Sequence, residues 1–269
     1  MVNAERDEFK EMELWEHLSE LRTRLIRTAA YIILGLVVAW LVYPFLYKLM
    51  FAPITTVMAE RNLPNVPAVA PSLVHRDFMG PFMLRLQISL VAGLVLAVPL
   101  ATFELWGFIA PGLTRDERKA CYLVFPLSIF FFFLGILCGY FILEPSVRWF
   151  MGFFPTDPSQ GTLLQDPGTY LTFMIKMILA FGICFQLPMV LMFLGYVGLV
   201  TSASLKEQWR LWFVGCFVIA AVATPGGDPF SMFVMAFPLA LLYIASIFLV
   251  AFVERVRARQ EKPLTMGPV

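Results

Sequence analysis

Long stretches without a charged side chain recur six times along this chain and leave it little choice of architecture. A helix that crosses a bilayer needs about 20 largely apolar residues, each rising ~1.5 Å. Inside lipid every backbone N–H and C=O must be satisfied within the protein, so such runs fold as helices. Spans are predicted near 28–47, 82–103, 120–143, 171–197, 209–223 and 230–252. The fourth crosses only Lys176. The fifth is short: counted from Leu211 to Ala223 it offers ~20 Å of helix against a ~30 Å hydrocarbon core. A re-entrant segment and a short, locally thinned span both fit it, and the short span is favoured. The breaker Thr224-Pro225-Gly226-Gly227 makes it one arm of a tight hairpin with the sixth.

The composition agrees. Hydrophobic residues make up 59% of the 269, and charged residues 14%, where soluble domains carry about 45–50% and about 25%. An ordinary soluble enzyme, a disordered chain and a disulfide-stapled module are excluded. A net charge of +1 gives no bulk pull toward nucleic acid. Fourteen of the 20 Lys and Arg fall in the N-terminal segment, the second and fourth connections and the C-terminal tail. Basic loops stay in the cytoplasm, so both termini are predicted there. The fold class is thus all-α: one polytopic membrane domain over 1–269, with six spans and a short last hairpin. A cytoplasmic amphipathic helix over 1–27 precedes it and a cytoplasmic tail over 253–269 follows. Residues 1–27 carry seven acids and no apolar core, unlike a signal peptide.

The N-terminal segment Met12–Arg27 places Leu14, Leu18, Leu21 and Leu25 on one helical face. Glu13, Glu16, Glu20, Arg24 and Arg27 take the other, with Glu20 and Arg24 an i,i+4 pair in the favoured order. Such a helix would lie on the cytoplasmic surface before turning into the first span. It serves either as an anchor or as an acidic receptor for a basic ligand. The second connection, Phe103 to Lys119, joins Trp106 and Phe108 to a Pro111-Gly112 turn and a charged cluster. Thr114 and Glu117 there would form a capping box for the third span.

Elsewhere polar chemistry is sparse. Arg85 and Lys176 can snorkel from near the external ends. Gln186, beside the kink expected at Pro188, suits a helix–helix hydrogen bond or a docking point for a partner helix. Gly135 and Gly139 form a GxxxG suited to close packing. The two long external loops, near 48–78 and 144–170, read as irregular or as short interfacial helix. His17 and His75 read as solvated, and Cys121, Cys138, Cys184 and Cys216 as packed free thiols. No nucleotide, metal or nucleophile motif occurs, so no cofactor, metal or catalytic residue is expected.

Three segments carry a family resemblance. His17 to Leu25 (HLSELRTRL) resembles the HLxELRxRL opening of the TatC family, the multispanning receptor of the twin-arginine protein translocase. Phe103 to Leu113, followed by Glu117-Arg118, resembles its FxxWxFxxPGLxxxER loop. Thr224 to Ser231 is similar to its TPPDxxSQ turn. The resemblance implies a non-enzymatic receptor in the bacterial or archaeal-type cytoplasmic (inner) membrane. Its ligands would be twin-arginine signal peptides of folded cargo. Its partners would be single-span TatA- and TatB-type proteins and further copies of itself. Glu20 and Glu117 stand at positions implied to form the acidic site, with Phe108 and Trp106 on the same surface and Arg22 ordering it. Two guanidiniums ask for two carboxylates, because bidentate pairing distinguishes Arg from Lys. Pro53 and Asp228 match positions of structural weight. Gln186 departs from the family's usual glutamate; it keeps a donor and an acceptor for docking but no titrating group. The alternatives are a secondary transporter for a small neutral solute, with Gln186 and Pro188 lining its site, and a structural assembly scaffold.

Overall fold

The computed structural model describes residues 2–60, 78–109, 115–153, 166–223 and 229–260, apart from the side chains of 2–14, 59, 60, 109, 115–123, 223, 231 and 256–260. All regular structure in these residues is helical. Helix α1 (Val2–Leu41) is unbroken over 40 residues. The expected turn between amphipathic segment and first span is therefore not made. The physical reason is in the sequence: no Gly precedes Gly35 and no Pro precedes Pro44, so nothing interrupts a run of good helix formers.

Pro44 sets the end of α1. It lacks the N–H that would bond the Trp40 carbonyl, and it disfavours helical geometry just before it. The chain turns at Val42 and restarts as α2 (Tyr43–Glu60). The freed Trp40 carbonyl accepts from Arg85 Nη2 at 3.2 Å. Arg85 belongs to α3 (Gly80–Ile109), and its guanidinium lies 4.4 Å from the Trp40 ring and 5.0 Å from that of Tyr43. It is fixed rather than snorkelling. Pro53 repeats the device inside α2. The Leu49 carbonyl it leaves open accepts from the Tyr140 hydroxyl at 2.9 Å. Tyr140 lies on α4 (Arg115–Met151). One residue on, Met50 O accepts from Tyr170 at 3.2 Å, from α5 (Pro167–Cys184). Two tyrosines thus pin α2 to the bundle, and the segment after the first span is helical to Glu60.

Small residues let the long helices meet. A Cβ on Gly35 of α1 would stand 2.5 Å from the Gly93 carbonyl oxygen of α3, so backbone touches backbone there. A Cβ on Gly135 would stand 2.6 Å from Phe181 O, and one on Gly139 3.2 Å from the Phe181 side chain. The GxxxG therefore packs α4 against α5, the intramolecular reading. The main core gathers Phe51, Ile54 and Val57 with Leu143, Met174 and Phe181. Cys138, Cys184 and Cys216 are unpaired thiols within or against it.

At Phe185–Gln186 the fourth span is broken, and α6 (Leu187–Val197) continues it with Pro188 in its first turn. Proline belongs at such a start and not inside a helix. Gln186 accepts from Ser128 Oγ at 2.5 Å and donates to Ser128 O at 2.9 Å. Both ends of its amide thus bridge to α4. Gly198 ends α6 with a φ of 88°, a left-handed cap that suits glycine.

The short α7 (Ser202–Glu207), capped by Thr201, leads to α8 (Trp209–Ala223) and α9 (Pro229–Gln260). Glu254 of α9 accepts from Ser202 N at 2.8 Å and from its hydroxyl, and Tyr243 donates to Leu205 O at 2.6 Å. Among the described residues, five helical segments are long and apolar enough to cross a membrane: Trp15–Leu41, Gly80–Phe108, Val124–Met151, Pro167–Val197 and Met232–Arg255. A sixth, Trp209–Val222, is apolar but shorter. Its helix α8 has 15 residues, ~22 Å at 1.5 Å each.

Candidate functional site

The densest charge cluster among the described contacts joins the N-terminal half of α1 to the C-terminal end of α3. The i,i+4 pair anticipated on α1 is formed: Arg24 donates to Glu20 Oε1 from Nη2 at 2.6 Å and from Nε at 3.0 Å. Its remaining nitrogen, Nη1, reaches α3, where it donates to the Glu104 carbonyl at 3.3 Å and to its carboxylate Oε2 at 3.2 Å. The other carboxylate oxygen of Glu104 accepts from Tyr31 at 3.3 Å and faces Arg27 Nη1 at 3.8 Å.

Burial orders these groups. The Glu104 side chain is 5% exposed, that of Arg24 21% and that of Glu20 35%. A buried carboxylate needs paired charge and hydrogen bonds, and two arginines and a tyrosine supply them. Glu20 is the accessible carboxylate. It borders an open depression lined by Ser19, Glu20, Thr23, Arg24 and Arg27. Gly107 leaves room for this guanidinium: a Cβ there would stand 2.3 Å from Arg24 Nη1, which would have to shift.

Helix α3 continues through Phe103 to Ile109, so Trp106 and Phe108 are helical and half-buried, not exposed on a loop. Glu104 and Phe108, four residues apart, share the face toward α1. The Phe108 ring stacks on that of His17, with centroids 4.4 Å apart. Trp106 faces the other way. It meets Phe193 of α6 edge-on at 5.0 Å and packs against the small cluster of Val124, Met189 and Met192. Arg22, about 200° round α1 from Glu20, is exposed; Arg24 is the residue that orders Glu20. Glu117 lies in the first turns of α4, with its side chain outside the described residues, as are Thr114 and Asp228. Pro53 and Pro188 are buried at the helix features above. No motif reading assigns Glu104 a role. The available signal was a lone acid where an apolar run ends, inside an aromatic motif.

The model of the Sec-independent protein translocase protein (TatC) family matches residues 16–238, which include the whole cluster. The chain belongs to the TatC family. A TatC protein of Azotobacter chroococcum mcd 1 is 34% identical over 268 residues, 99% of each chain. One of Desulforapulum autotrophicum is 37% identical over 235 residues, 86% of this chain and 82% of that one. A crystal structure of the twin arginine translocase receptor TatC superimposes with a TM-score of 0.74 at 31% identity, covering 88% of this chain and 99% of that one. A second, in DDM, gives 0.73 at 32%, covering 87% and 98%. Like other TatC proteins, the chain is a multi-pass inner-membrane component of the Sec-independent protein translocase, and not an enzyme.

Proposed function

We propose that this TatC protein receives signal peptides bearing two consecutive arginines at the rim formed by α1 and α3, then assembles single-span TatA- and TatB-type partners so that folded cargo can cross. The rim faces the cytoplasm, together with both termini. One observation carries the reading: Glu20 is a half-exposed carboxylate that already binds a guanidinium, that of Arg24, at 2.6 Å. It has the placement and chemistry to bind another. Glu117 supplies the second carboxylate, and Phe108 an apolar wall beside the arginine stems. The solved relatives described as twin arginine translocase receptors support the assignment.

Partner assembly is supported by what the helices leave uncovered. Leu211, Val214, Val218 and Val222 of α8 are all exposed, and the helix is short for a bilayer. Further copies and single-span helices would cover such faces. The test is site-specific photo-crosslinking from positions beside Glu20 and Glu117 to a twin-arginine signal peptide. Strong labelling that drops for a twin-lysine peptide is expected. Equal labelling by both contradicts the mechanism.

A further inference from the structure

We infer that Arg24 is an internal competitor for the ligand, and that Glu104 is the acceptor holding it when Glu20 is given up. The inference rests on the receptor reading and adds a regulatory contact to that site. Arg24 places two N–H groups on one oxygen, Glu20 Oε1. Side-on bidentate pairing needs both carboxylate oxygens, so an incoming guanidinium cannot make it while Arg24 stays. A lysine needs only one oxygen and is less affected.

Arg24 has somewhere to go. Its Nη1 is already on the Glu104 carbonyl and carboxylate. That carboxylate is almost wholly buried, so it is no competitor for the ligand itself. Its charge keeps the released guanidinium paired, and the exchange then swaps one arginine for another on Glu20. Gly107 leaves room for the guanidinium beside Glu104, since a Cβ there would stand 2.3 Å from Arg24 Nη1 and displace it. The resting cluster of Glu20, Glu104, Arg24 and Arg27 is neutral, which keeps Glu20 from attracting stray cations.

The test uses the full chain in nanodiscs and fluorescent synthetic peptides with either two arginines or two lysines ahead of an apolar segment. The paired variant Arg24→Gln/Glu104→Gln removes one charge of each sign and frees Glu20 Oε1. Its affinity for the twin-arginine peptide rises by about tenfold, as expected for one released charge-assisted contact, while that for the twin-lysine peptide changes much less. Gly107→Ala, which keeps all the charges but displaces Arg24 Nη1 from its place beside Glu104, weakens twin-arginine binding. Unchanged or weaker twin-arginine binding in the paired variant overturns the inference, because a merely structural role for Arg24 moves both variants downward. A parent chain without preference for arginine over lysine overturns the receptor reading, and the inference with it.

Discussion

The buried carboxylate of Glu104 on α3 holds the guanidinium of Arg24 on α1, 80 residues away in sequence, through both its side chain and its main-chain oxygen. Removing one partner of such a pair leaves the other in a poor environment. Glu104→Ala is therefore expected to lower stability by about 1–3 kcal/mol, less than for a fully dry pair because Arg24 retains Glu20 and some solvent. Thermal unfolding in detergent reads this as a lowered Tm. Arg24→Gln/Glu104→Gln should lose less than Glu104→Ala, since neither charge is then stranded.

The pairing of Pro53 with Tyr140 predicts a coupling. Tyr140→Phe deprives the Leu49 carbonyl of its donor, at about 0.5–1.5 kcal/mol. With Pro53→Ala the backbone N–H returns and can serve that carbonyl itself, so the same Tyr140→Phe change costs less. A double-mutant cycle on unfolding free energies measures the difference; strictly additive losses would show that the hydroxyl does not replace the missing helical bond.

Two glycines should behave in opposite ways. Gly35→Ala puts a Cβ against the rigid backbone of Gly93 and must push α1 from α3, costing about 1–3 kcal/mol and weakening ligand binding at the rim those helices share. A Cβ on Gly215 of α8 meets nothing within 4 Å. Gly215→Ala should be neutral or slightly stabilising through helix propensity. Tm shifts of the two variants check the contrast.

Gln186 and Ser128 are coupled across α4 and the α5–α6 break. Gln186→Leu strips that bridge and should cost about 1–2 kcal/mol. Gln186→Glu replaces the amide at a site that supplies one hydroxyl and one carbonyl. It removes the amide N–H that donates to Ser128 O and should lower the Tm. An unchanged Tm for Gln186→Glu would contradict this.

Much of the fold could be read from spacing alone. Charge-free runs mark the long apolar helices, and Pro188 marks a helix break, because lipid and proline each leave the backbone few options. The Glu20–Arg24 pair followed from helical periodicity. What escaped was long-range. Arg85 and Trp40, Tyr140 and Leu49, and Glu104 and Arg24 meet only once helices pack, and no local pattern announces a carbonyl that proline leaves open to a distant side chain. The helix through Trp106 and Phe108 escaped because aromatics before a Pro-Gly turn resemble a loop, while packing against α1 and α6 extends α3 past the end of its apolar run.

The most direct measurement of the receptor role is a charge-reversal exchange at Glu20. In the full chain, Glu20→Lys should abolish crosslinking to a twin-arginine signal peptide, and a peptide with the facing arginine changed to glutamate should recover a substantial share of it. Recovery specific to that pairing is the result predicted by direct contact between Glu20 and the ligand. Undiminished crosslinking in Glu20→Lys, or a loss that no reversed peptide recovers, would contradict it.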